Sequence, residues 1–130
     1  MKLKNSEIVQ FMNGVAQLKS KKLPVKVAYA VKKNIRSMEA AALVYNETFE
    51  EIRDRCVKKD KNGNPQTKDG RFCFVKEKEE EFVTAVQELR DIETEIEVFT
   101  VSLEELEKCD DPRYDPLSVD DIETLYIMLG

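Results

Sequence analysis

The chain has 130 residues, of which 42% are hydrophobic and 36% charged, a formal net charge of −5 and no histidine. That length suits one domain over 1–130, and the high charge with few Gly and Pro suits long helices with a narrow apolar face. Without histidine there is no imidazole base, no Ser-His or Cys-His dyad and almost no route to a zinc or iron site, so a non-enzymatic protein with no cofactor and no metal is expected.

No apolar run approaches the roughly 18 residues that a membrane span needs. Met1-Lys2-Leu3-Lys4-Asn5 is not followed by the apolar stretch of a secretory leader. Cys56, Cys73 and Cys109 are odd in number and scattered, which fits reduced thiols better than a disulfide framework. A soluble, cytoplasmic protein without membrane contact is the expectation.

In chain order, residues 6–19 predict a first helix with Ser6 as N-cap and Ile8, Met12 and Val15 on one face. Gly14 weakens it slightly. Pro24 belongs near the first turn of a second helix, where its missing N–H costs nothing. That helix should run over 24–58. Val27, Val31, Ile35, Met38, Ala42, Tyr45, Phe49, Ile52 and Cys56 follow at spacings of three and four, one continuous stripe. Leu43 and Val44 fall off this stripe and predict a second surface to be covered, by the C-terminal helices or in an oligomer interface.

Asn62-Gly63-Asn64-Pro65 and Asp69-Gly70 are turn signals, and Arg71 to Val75 reads as a short strand. A small β-hairpin or ordered loop should therefore join the second helix to a third, over 77–96, with Phe82, Val86, Leu89, Ile92 and Ile96 on its apolar face. Glu77, Glu79, Glu80 and Glu81 crowd its first turn, where the helix dipole favours acids. Val98 to Val101 can be extended. Ser102 to Glu105 is a capping box opening a short helix that Asp110-Asp111-Pro112 ends. Ser118 to Asp121 is a weaker one, opening a last helix with Val119, Ile122, Tyr126 and Leu129 on one face. The fold class is thus mainly α: a long antiparallel helical hairpin with a small β-connection and short C-terminal helices.

Charge is unevenly spread. Residues 1–38 hold nine basic residues and one acid, whereas residues 77–130 hold four basic residues and eighteen acids. On a helical wheel Lys22, Lys26, Lys33 and Arg36 cluster nearly opposite the apolar stripe. A solvated outer face explains this cluster, and so does a surface for a small anionic ligand, a host protein or a second copy. Nucleic acid fits poorly, because the whole chain is acidic and aromatics do not interleave with the lysines.

Asp60-Lys61-Asn62-Gly63-Asn64 begins like a calcium loop. However, Pro65 stands where that loop needs Gly and Arg71 where it needs Glu, so a plain turn is expected. No phosphate-binding glycine loop occurs.

Leu23-Pro24-Val25-Lys26 before a long helix, Lys59-Asp60-Lys61-Asn62-Gly63-Asn64-Pro65, and Val101-Ser102-Leu103-Glu104-Glu105-Leu106 resemble the layout of small proteins of unknown function from phages and prophages of Gram-positive bacteria. The resemblance spans most of the chain and implies a phage origin, with no catalytic residue to transfer. In shape alone, helix, β-element and helix also resemble a prefoldin subunit. The expected function is a phage-type binding protein, oligomeric with itself. It would interfere with host processes by sequestering a host protein or a small anionic signal, or else serve phage assembly as a scaffold or chaperone-like component.

Overall fold

A computed structural model describes all 130 residues. In chain order the elements are β1 (Lys2–Lys4), α1 (Asn5–Leu18), α2 (Val25–Cys56), β2 (Thr67–Lys68), β3 (Arg71–Phe72), α3 (Glu79–Asp91), β4 (Glu93–Glu95), α4 (Leu103–Glu107) and α5 (Val119–Leu125). Single 3-10 turns precede α3 and follow α4 and α5. The protein is mainly α, as its periodicity predicts. It divides into two compact units, residues 1–42 with 93–130 and residues 43–92.

The long helix begins one residue after Pro24, whose carbonyl accepts from the Ala28 N–H at 2.9 Å. At 1.5 Å per residue its 32 residues span about 48 Å. In the first unit it contributes Val27, Ala30, Val31 and Met38 to a core shared with Leu3, Ile8, Phe11, Val15 and Leu18, and with Ile96, Val101, Leu106, Leu125 and Met128.

The first helix starts at Asn5 rather than after Ser6. Glu7 accepts the Lys4 N–H at 3.0 Å, and Asn5 is buried. Gly14, far from a weakness, is required here. A Cβ at that position would stand 2.7 Å from Thr124 Cγ2 and 2.9 Å from Thr124 Cβ, and closer still to its hydroxyl. Gly14→Ala is therefore expected to cost about 1–3 kcal/mol by overpacking, although alanine favours helix by about 1 kcal/mol. Adding Thr124→Ala should recover part of the loss. Urea melts of the three variants check this, and an unchanged midpoint for Gly14→Ala would mean that α5 yields freely.

In the second unit, the C-terminal part of α2 and α3 form the helical hairpin. Phe49 meets Phe82 edge-to-face at 6.0 Å, and Phe82 meets Phe74 at 4.6 Å. Tyr45 stacks on Phe49 at 6.2 Å. The Lys78 ammonium donates to the Arg55 carbonyl at 3.0 Å, tying the start of α3 to the end of α2. The connection is a small β-structure. Asp69 and Gly70 both take positive φ and turn β2 into β3, the conformation an Asp-Gly hairpin requires. Asp60 Oδ1 accepts the N–H groups of Asn62 and Asn64, which is the expected plain turn.

The third helix is shorter than its sequence pattern predicts. It ends at Asp91, Ile92 leaves with extended backbone, and Glu93–Glu95 pairs antiparallel with Lys2–Lys4. Ile92 and Ile96 are four apart on a helix but would also share one face with Thr94 on a strand, so periodicity alone fits both. Register decides for the strand. Lys2 faces Glu95 and Lys4 faces Glu93, so opposite charges stand across the ladder. Ile92 is consequently exposed, and Ile96 joins the core of the first unit.

Candidate binding surface

The basic residues singled out from sequence lie in the first unit but do not share one helix face. Lys22 precedes α2. Its N–H donates to Asp115 Oδ2 at 2.7 Å and its carbonyl accepts the Asp115 N–H at 2.9 Å. Those backbone bonds make Lys22 an anchor for the C-terminal segment rather than part of the helical cluster. Lys26, Lys33 and Arg36 do lie together on the outer side of α2, as does Lys32.

An aromatic pair stands among them. Tyr29 lies between Lys26 and Lys32 in the chain, is 57% exposed, and meets Phe99 edge-to-face at 6.5 Å. The Lys33 ammonium sits 5.8 Å from the Tyr29 ring centroid and 5.2 Å from that of Phe99, within cation–π range of both. The expectation that no aromatic interleaves with the lysines is thus corrected. Its available signal was Tyr29 itself, one turn after Val25 and one before Lys33.

Phe99 reaches this place because Asn34 holds its backbone. The Asn34 side-chain NH2 donates to the Phe99 carbonyl at 2.9 Å, and the Phe99 N–H donates to Asn34 Oδ1 at 2.7 Å. Asn34 is fully buried on the apolar side of α2. Phe99 is thus fastened to α2, and Val101, whose N–H donates to the Met128 carbonyl, to the turn after α5. Between α2 and this segment lies an open groove of about 460 Å³, walled by Val25, Tyr29, Phe99, Ser102 and Glu105. Glu105 approaches Lys26 at 3.5 Å and Lys108 at 3.1 Å. The hydrogen bond from Lys108, aided by Lys26 and opposed by burial, holds its carboxyl below the ordinary range. The Ser102 capping box is accordingly only half formed. Ser102 Oγ accepts the Glu105 N–H, while the Glu105 carboxylate turns to the lysines.

The last helix corrects a second expectation. Its box at Ser118 is complete, with Ser118 N–H donating to Asp121 Oδ2 and Asp121 N–H to Ser118 Oγ. Its buried side, however, carries Asp121, Thr124 and Leu125. Of the apolar face of Val119, Ile122, Tyr126 and Leu129, the first three are 73%, 50% and 71% exposed, and only Leu129 packs against the core. Two local demands turn the helix this way. Asp121 pairs with Lys21, and Thr124 fits against Gly14.

Leu43 and Val44, in the second unit, are both exposed, with Thr48 Oγ1 donating to the Val44 carbonyl at 2.7 Å. All three cysteines are unpaired as disulfides, Cys56 and Cys109 being buried. Burial, with Asp110 nearby, pushes the Cys109 thiol up, away from thiolate reactivity. No group of three or more His, Cys, Asp or Glu side chains converges. No helix is long and apolar enough to cross a membrane.

No protein-family model matches this chain, and neither a curated protein nor a solved structure does.

Proposed function

We propose that this is a non-enzymatic binding protein of phage type that sequesters a small anion carrying an aromatic ring, a nucleotide-like signal, and so interferes with a host process. The observation that carries this reading is the exposed Tyr29 ring set among Lys26, Lys33 and Arg36, with Phe99 beside it. A flat ring stacks on an exposed aromatic side chain for about 1–3 kcal/mol, and neighbouring cations hold its charged group. A host protein is the less favoured ligand. The groove beside Tyr29 holds about 460 Å³, the size of a small molecule, and offers no extended apolar surface.

Calorimetric titration of the protein with adenosine and guanosine nucleotides, and with inorganic phosphate as the ring-free control, tests this. A nucleotide should bind more tightly than phosphate. Tyr29→Ala should weaken it about tenfold, the loss of roughly 1.4 kcal/mol of stacking, while Tyr29→Phe keeps it. Nucleotide binding that ignores Tyr29→Ala, or none at all, would remove the reading.

A further inference from the structure

Two surfaces of the first unit are unpartnered and opposite in charge. One is the outward face of α5, where Val119, Ile122 and Tyr126 stand exposed beside a depression of about 420 Å³ floored by Phe11 and Ile127. The charged residues lining that depression, Glu7 and Glu123, are both acids, and Asp120 lies exposed on the same helix. The other is the outward stripe at the start of α2. There Val25 is 82% exposed, next to exposed Tyr29, and the charges are Lys32, Lys33 and Arg36, with Glu105 the one acid lining the groove beside them. Each surface is an apolar pair or triad, the first with an acidic rim and the second with a mainly basic one.

We propose that a second copy of this chain occupies the α5 face, docking there with the outward stripe of its own α2. Like against like is disfavoured in both symmetric arrangements. An α5–α5 contact sets Glu123 and Asp120 against themselves, and an α2–α2 contact does the same with Lys32 and Arg36. A head-to-tail contact brings acid to base and covers the exposed apolar side chains on both sides. Charge sets the register and the encounter rate, and burial of Val25, Tyr29, Ile122 and Tyr126 supplies the affinity. Such a contact is heterologous, so a dimer keeps one unused face of each kind and association continues beyond the dimer or closes into a ring. The inference stands on these two faces and does not rest on the nucleotide reading. Tyr29 and Lys33 serve both, so the anion and the second copy compete.

Light scattering on size-exclusion eluates of the full chain tests the contact. The unaltered protein should exceed its 15.0 kDa chain mass at micromolar concentration and low salt, and associate less as rising salt screens the charge contribution. Ile122→Lys with Glu123→Lys blocks the α5 face. Val25→Glu with Arg36→Glu blocks the α2 stripe. Each variant alone should run at chain mass, and an equimolar mixture should run at twice chain mass and no higher, since one intact face of each kind remains. Tyr126→Ser and Arg36→Ser make the same pair of blocked faces with milder changes if a charge variant does not fold. A mixture that stays at chain mass, variants that still associate alone, or an unaltered protein that is monomeric at every salt concentration overturns the proposal. Failure of the contact leaves the nucleotide reading standing, because the titration with Tyr29→Ala and Tyr29→Phe reads that separately.

Discussion

Asn34→Ala should cost about 3 kcal/mol of folding stability and release the segment that carries Phe99. The substitution removes one donor and one acceptor at once. The Phe99 N–H and C=O, bonded to Asn34 at 2.7 and 2.9 Å, are then left part-buried and without their partner. Each such orphan costs about 1–3 kcal/mol. Because the side chain is fully buried, a small cavity adds to the loss. Asn34→Leu separates the two contributions, since it fills the space and leaves both backbone groups orphaned. Urea melts should rank the unaltered protein first and both variants well below it. Full stability for Asn34→Leu would show that packing, not the paired hydrogen bonds, matters at this position. Nucleotide affinity should fall with Asn34→Ala as well, since Phe99 no longer flanks Tyr29 and Lys33.

Asn34 also marks how far the sequence could be read. The spacing from Val27 through Met38 to Cys56 places α2 to within two residues at each end, because an apolar stripe sustained for about eight turns has one geometric meaning. The same habit of following apolar residues skipped Asn34, which lies in the middle of that buried side. A polar side chain there needs a partner, and nothing in the sequence names residue 99 as that partner, sixty-five positions away. The Asp69-Gly70 turn was legible, since positive φ at both positions is a local demand. The strand at Glu93–Glu95 was not, because its support comes from Lys2–Lys4 at the other end of the chain.

The last helix failed for a related reason. Val119, Ile122 and Tyr126 form a correct stripe by hydropathy, yet the buried side carries Asp121 and Thr124. Tertiary partners reversed the rule: a lysine for the acid and a glycine for the threonine. This reversal leaves an apolar stripe facing outward, and the proposed contact between copies starts there. Of the candidate site, Lys26, Lys33 and Arg36 were found from charge alone. Their aromatic neighbour Phe99 depends on the Asn34 clamp and has no local signature.

Lys21→Met is expected to be the most damaging single change on the surface of the first unit, at about 3–5 kcal/mol near neutral pH, the usual cost of removing one partner from a buried ion pair. Asp121 is almost wholly buried. Its Oδ2 lies 2.5 Å from Lys21 Nζ, which also donates to the Pro116 carbonyl at 2.9 Å. Burial pushes the Asp121 carboxyl up. The hydrogen bonds from Lys21 and Ser118 outweigh it, so the carboxyl is held below its ordinary value. A carboxyl lowered on folding stabilises the protein above its unfolded pKa, about 3.9 for aspartate. That contribution is lost as pH falls through the lower folded value. In Lys21→Met the burial remains and the ammonium is gone, so the carboxyl should stand higher than in the unaltered protein, although the Ser118 hydrogen bonds persist. The variant is then penalised at neutral pH and relieved as acid protonates Asp121. Urea melts at pH 7, 5 and 3 should therefore show the gap between the two proteins narrowing with acid. Asp121→Asn keeps the side-chain oxygen that caps the Ser118 N–H and carries no charge, so in that background Lys21→Met should cost much less and the gap should no longer depend on pH. A gap of constant size from pH 7 to pH 3 in the original background would assign the role of Lys21 to its hydrogen bond with Pro116 and the packing of its stem, and not to the charge of Asp121.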